Sequence, residues 1–350
     1  MSESKSKRRD GKDRYRVRSW KAKLVLMVLP VVLLVIGLEL SARAYVWVKY
    51  GSHDHGMNWK FAYEPYLETR HDERMHKEFP PKGDKFRVVL LGGSTASLVP
   101  DDDLARAFEE QLGLEVEVIN LGQAAYIANQ ERIMFLLHGM RLDPDMVITL
   151  NGANDLVTAS KTGRPGITYA DGFIALGVEK PVLNGLLGIV RNSQLINCVN
   201  KLRERVVEKK AHQDNGLMAQ TVDHFLEALG TISFMAKGME IPHVMVLQPY
   251  VRLRENATES ELALAEVYSY RGDYMGGGFK DLRKKMKDRA FPGEVHFVDA
   301  TQAFNGVEGD CFIDEVHLTE RGNKALSEFI AHSLRNSGFR VPGAISSAGN

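Results

Sequence analysis

The chain has 350 residues, enough for one large domain or two small ones, and 44% hydrophobic with 26% charged residues is the composition of a globular protein, not of a disordered or fibrous one. Its 45 Lys/Arg and 45 Asp/Glu cancel, but ten of the basic residues lie in the first 23 positions beside only three acidic ones. Beyond residue 23 stand 35 basic against 42 acidic residues, a net charge of −7, which excludes a basic nucleic-acid-binding face there.

After Lys23, Leu24 to Leu38 is a run of fifteen residues without a charge, and the segment continues through Glu39, Arg43, Tyr45 and Trp47. Fifteen helical residues are too short for a bilayer core of ~30 Å, whereas the run to Trp47 is long enough. Glu39 and Arg43, four apart, are spaced to pair, and Tyr45 and Trp47 suit the far interface. The expectation is one transmembrane signal-anchor over 24–48, a basic cytoplasmic tail over 1–23, and everything after it periplasmic or extracellular. A cleaved signal peptide is the rival, because Ala42-Arg43-Ala44 is an Ala-x-Ala site behind a short apolar core; both readings export the remainder. Residues 49–83, rich in His, Lys, Glu and Pro, read as a juxtamembrane linker, with His53, His55, His71 and His76 solvated and not metal ligands.

The region 84–340 reads as one domain, followed by a tail over 341–350. Phe86 to Leu91 is a β-branched run that predicts a buried strand ending at Gly92. A helix over Asp103–Leu112 leads to an alternating strand over Glu115–Leu121. A helix over Asn129–Met140 precedes a third strand, Met146–Leu150. Helices near 182–208 and 217–238 come next, then a strand over His243–Gln248 stopped by Pro249, and a short one over His296–Asp299. A closing helix follows Leu318, with Thr319 as its N-cap. Strands alternating with helices predict a mostly parallel five-stranded sheet covered on both faces. Two stretches exceed what such a sheet needs: 156–215, with apolar patches Phe173–Leu176 and Leu183–Val190, and the charged 250–290. Both leave from the carboxyl edge of the strands, where long insertions shape substrate binding, although the apolar one equally suits packing on its own core. Cys198 and Cys311 read as buried free thiols, a disulfide between them being the alternative in an exported domain. No zinc-ligand spacing occurs. Asn256-Ala257-Thr258 matches a glycosylation sequon and reads as chance.

Four motifs fall in order where strands should end: Gly92-Gly93-Ser94-Thr95, Asn120-Leu121-Gly122, Gly152-Ala153-Asn154-Asp155 and Asp314-Glu315-Val316-His317. Ligands of open parallel sheets bind beyond the carboxyl ends of the strands, so all four gather on one edge. A serine hydroxyl is a poor nucleophile without an adjacent base. His317 is the candidate base, and Asp314 the carboxylate that holds its other ring nitrogen. No Gly-Lys-Ser/Thr follows the glycines, which argues against a phosphate cradle. Gly92–Ala96 nearly matches the Gly-x-Ser-x-Gly elbow, but that elbow normally comes after several strands and Ser94 comes after the first. Asp155 reads as a brace for its loop, with Asn151 and Gln123 at the margin of the site.

In order and content these four blocks resemble the SGNH hydrolases, the GDSL family of esterases and acylhydrolases, across residues 84–340. The resemblance implies a flavodoxin-like three-layer α/β/α sandwich, a Ser94–His317–Asp314 triad, and oxyanion donors from the Ser94 N–H, the Gly122 N–H and the Asn154 side chain. One departure is visible: the family's first block usually reads Gly-Asp-Ser, and here Gly93 replaces the aspartate. The expected function is an extracytoplasmic serine ester hydrolase that cleaves O-acyl esters of a glycan or a lipid through an acyl-enzyme, with neither cofactor nor metal. Its partners would be that ester and the membrane, and no nucleic acid. An O-acyltransferase using the same triad on a cell-surface glycan, or a non-catalytic surface scaffold, are the alternatives. Activity is expected to fall on acidification as His317 protonates.

Overall fold

The computed structural model describes residues 20–50, 61–64, 66–71, 78–168, 193–196, 198–199, 215–267, 269 and 272–339. The tail over 1–19, most of the linker, both apolar patches of the first insertion, most of the helix expected near 182–208 and the tail over 341–350 lie outside these residues. The chain divides into two compact units, Met1–Asn58 with Gly185–Leu202, and Trp59–Asn184 with Arg203–Asn350. Part of the 156–215 insertion thus groups with the N-terminal segment.

In the first unit, α1 runs Trp20–Tyr50 and continues through Pro30. Its apolar stretch Trp20–Tyr45 has 26 residues, about 39 Å at the helical rise, which exceeds a ~30 Å bilayer core; a signal sequence near the N-terminus would share these properties. Leu24 to Leu38 are largely exposed along it. The two charges inside the stretch are paired, Arg43 Nε lying 2.8 Å from Glu39 Oε1. Glu39 also accepts from Ser193 Oγ (2.6 Å) and from the backbone N–H groups of Gln194 and Leu195 (2.9 and 3.0 Å).

The second unit opens with a hairpin, β1 (Phe61–Glu64) and β2 (Glu68–His71), inside what the sequence suggested was linker. Leu67 at its turn is fully buried, and its carbonyl accepts from Gln130 Nε2 at 2.8 Å. Then come β3 (Phe86–Gly92), α2 (Ser94–Ser97), α3 (Asp101–Leu112), β4 (Val116–Asn120), α4 (Ala128–Met134), β5 (Met146–Asn151) and α5 (Ala153–Thr162). They are followed by α6 (Asn215–Gly238), β6 (His243–Leu247), α7 (Glu259–Val267), α8 (Gly272–Asp288), β7 (Val295–Asp299) and α9 (Glu320–Asn336). The helix expected over Asn129–Met140 ends earlier, at Met134, and widens into a π turn over Phe135–Gly139. Thr319 caps α9 as expected, its hydroxyl accepting from Gly322 N.

Five strands form one parallel sheet in the order β4-β3-β5-β6-β7. Every residue of β3, β5 and β6 is buried, as parallel strands covered on both faces must be. Side chains alternate between faces with period two. Phe86, Val88 and Leu90 pack with Leu104 and Phe108 of α3 and Leu326, Ile330 and Leu334 of α9. Val89 and Leu91 pack on the other side with Met134, Leu156, Phe225, Leu229 and Phe279 from α4, α5, α6 and α8. The result is the three-layer α/β/α arrangement. Because β4 and β5 flank β3 on opposite sides, the chain reverses direction across the sheet at the carboxyl end of β3, a switch point where such folds open a crevice. Ser94 lies there.

Candidate active site

The nucleophile turn follows from two glycines. Gly92 leaves β3 at φ +153°, and a Cβ there would overlap the Leu150 carbonyl and the Ala96 side chain. At residue 93 a Cβ would meet the Asn154 amide nitrogen, so the aspartate usual in the resembled family would push Asn154 aside. With both side chains absent, the chain turns straight from β3 into α2 and presents Ser94 at its first residue, 8% exposed.

Asp314 and His317 come from the loop between Phe312 and Leu318, whose ends pair as an antiparallel bridge. A spacing of three works because Asp314 folds the loop around itself. Its Oδ1 accepts from the backbone N–H groups of Val316 (2.9 Å) and His317 (2.8 Å), an Asx-type turn. Its Oδ2 is then 2.6 Å from His317 Nδ1, and His317 Nε2 is 2.7 Å from Ser94 Oγ. Burial opposes ionisation of Asp314, but hydrogen bonds from the His317 ring and charge on it, with the two backbone donors, outweigh it and hold the carboxyl below its ordinary value. An ionised Asp314 only accepts, which puts the ring proton on Nδ1 and leaves Nε2 to accept from the Ser94 hydroxyl.

The loop is held from outside by a buried ion pair. Arg254 and Glu261 are 1% and 0% exposed, with Arg254 Nη1 2.6 Å from Glu261 Oε2. Glu261 Oε1 accepts from the N–H groups of Cys311 (2.7 Å) and Phe312 (3.0 Å), and Arg254 donates to the carbonyls of Gly309 and Val307. Residues 250–290 therefore supply this clamp, which sequence reading missed because its partners lie some fifty residues apart. Cys311 beside it is a free buried thiol, as Cys198 is a free half-buried one.

The expected oxyanion donors converge less simply. Asn154 Nδ2 donates to Tyr126 O at 2.9 Å, which spends one of its two N–H groups. Gly122 N donates to Asn120 Oδ1 at 2.9 Å. Asn120 in turn donates to the carbonyls of Ala96 (2.8 Å) and Val99 (3.2 Å), tying the second motif to the turn after Ser94. Asp155 accepts from Ala128 N, at 3.2 and 3.3 Å, and braces the loop after β4. Asn151 Nδ2 is 2.5 Å from Glu131 Oε2. Glu131 and Asp155 form a buried acidic pair. Burial raises both carboxyls, Asp155 to about 7 and Glu131 well above its usual range, where the Asp155 charge adds to the effect. Among the described residues no group of three or more His, Cys, Asp or Glu is arranged to hold a metal.

No family model and no curated protein matches the sequence. Solved structures do. The chain is similar to the lipase Lip_vut3 from a goat rumen metagenome, at 14% identity and a TM-score of 0.46, over 73% of this chain and 99% of that one. It is also similar to Axe2, an acetylxylan esterase from Geobacillus stearothermophilus, at 14% identity and a TM-score of 0.39, over 75% and 99% of the two chains. The acetyl xylan esterase AlAXEase matches at 13% identity and a TM-score of 0.41, over 72% and 100%.

Proposed function

We propose that this chain is a serine ester hydrolase of the SGNH type, held in a membrane by α1, with its catalytic unit outside the cytoplasm. One observation carries the chemistry: a serine at a sheet's switch point, an imidazole 2.7 Å from its oxygen, and a carboxylate 2.6 Å from the far ring nitrogen. The basic residues before an exposed apolar helix support the anchor and its sidedness.

In this reading Ser94 Oγ attacks the ester carbonyl as His317 Nε2 takes its proton, and Asp314 stabilises the imidazolium. The substrate oxygen gains charge and is met by the Ser94 N–H, the second N–H of Asn154, and the Gly122 N–H in a three-centre bond shared with Asn120. His317 returns the proton to the leaving alcohol, and the acyl group stays on Ser94. Water, deprotonated by the same imidazole, then attacks, and Ser94 recovers its proton as the acid leaves. No metal or cofactor enters any step. The test is hydrolysis of 4-nitrophenyl acetate by the full chain in detergent, beside its Ser94→Ala variant. Loss of turnover with Ser94 supports the proposal; equal turnover in both proteins contradicts it.

A further inference from the structure

We infer that Gln248 is a positioning residue that joins the three loops carrying nucleophile, base and oxyanion donor; this rests on the triad proposed above. Gln248 directly follows β6, is 4% exposed, and has its backbone N–H on Asn151 O at 3.0 Å. It therefore sits at the catalytic edge, between the ends of β5 and β6. Its side chain works in both directions. Oε1 accepts from Ala153 N at 3.3 Å, and Nε2 donates to Thr95 Oγ1 at 3.1 Å. Thr95 Oγ1 passes the bond on to Val316 O at 3.4 Å.

Each joint in this relay is one residue from a group the mechanism uses. Ala153 precedes Asn154, Thr95 follows Ser94, and Val316 precedes His317. Ala153 also begins α5, so its N–H has no partner within the helix and needs an acceptor from elsewhere. Only a side chain with both an acceptor and a donor satisfies Ala153 while leaving the Thr95 hydroxyl free to donate to Val316. A primary amide does this; a carboxylate would take the Thr95 proton and break the last link. Gln248 touches no reacting atom, and its effect is transmitted through these neighbours.

The experiment uses the full chain in detergent and 4-nitrophenyl acetate, with Gln248→Met, Thr95→Val, the double variant and Ser94→Ala. Gln248→Met keeps the volume and removes both bonds. A loss of register on the ångström scale is expected to lower kcat by about 10–100-fold while KM stays within about twofold. Thr95→Val should do the same, and the double variant should be no slower than the worse single one, because both changes cut one relay. A folded Gln248→Met protein with kcat within about twofold of the parent overturns the inference, as does a double variant whose losses multiply. If Gln248→Met does not fold, Thr95→Val alone decides, and an unchanged kcat overturns it. Full activity in Ser94→Ala would instead remove the triad itself, and this inference with it.

Discussion

Replacing Asp155 by asparagine tests the electrostatics under the site. Asp155 is 7% exposed, and burial lifts its carboxyl from 3.8 to about 7, against the opposing hydrogen bond from Ala128 N. A group that holds its proton more tightly when folded gives a contribution that is complete below the unfolded value and is lost as pH rises to the folded one. Between pH 4 and 7 the native state keeps a proton the unfolded chain has released, and stability falls by about 1.4 kcal/mol per pH unit. Over that window Asp155 costs the fold about 4 kcal/mol. Asparagine keeps an acceptor for Ala128 N and cannot ionise. Its stability relative to the parent should therefore rise by about 3 kcal/mol from pH 4.5 to pH 8. His243 imposes a slope of opposite sign, since burial lowers its imidazole to about 3, but it contributes equally to both proteins and cancels. The assay is urea unfolding of the full chain in detergent, followed by circular dichroism at half-unit pH steps. A difference between the two proteins that does not change with pH would refute the reasoning.

Two further substitutions separate chemistry from scaffold. Asn154→Ala should lower kcat by about 10²–10³-fold with little change in unfolding midpoint, as the loss of one oxyanion donor does; an unchanged kcat for 4-nitrophenyl acetate would exclude that role. Glu261→Ala leaves Arg254 buried without its partner and frees the N–H groups of Cys311 and Phe312. It should cost about 3–5 kcal/mol in urea unfolding and reduce kcat through the Asp314–His317 loop; a loss under about 1 kcal/mol would contradict the clamp.

The sheet was legible because its strands are apolar runs ended by glycine or polar residues, and parallel strands must read that way. Three of the motifs were legible for the same reason, each standing where such a run stops, and the fourth by its Asp-x-x-His spacing just before the closing helix. The hairpin at 61–71 was not, since its two four-residue strands lie in a stretch rich in charged residues, His and Pro and lack the long apolar run that marks the sheet strands. Nor was the π turn after Met134, whose apolar periodicity barely differs from that of an α-helix. The missed site residues share one property. Gln248, Arg254 and Glu261 act through partners some fifty or more residues away, and little in the local sequence marks them. Gln248 offered one faint sign, a polar residue closing the apolar strand His243–Leu247 at the catalytic edge. The loop geometry of Asp314 shows the reverse case, in which a spacing of three residues already contains the turn that aims His317.

The most direct test of the central claim is covalent labelling. The full chain in detergent is treated with a serine-reactive fluorophosphonate and its peptides are mapped by mass spectrometry, beside the His317→Ala variant. The account predicts one rapid adduct, on Ser94, that His317→Ala slows by orders of magnitude, because the hydroxyl then has no base 2.7 Å away to take its proton. An adduct on another residue, or a Ser94 adduct that forms equally fast without His317, would contradict it.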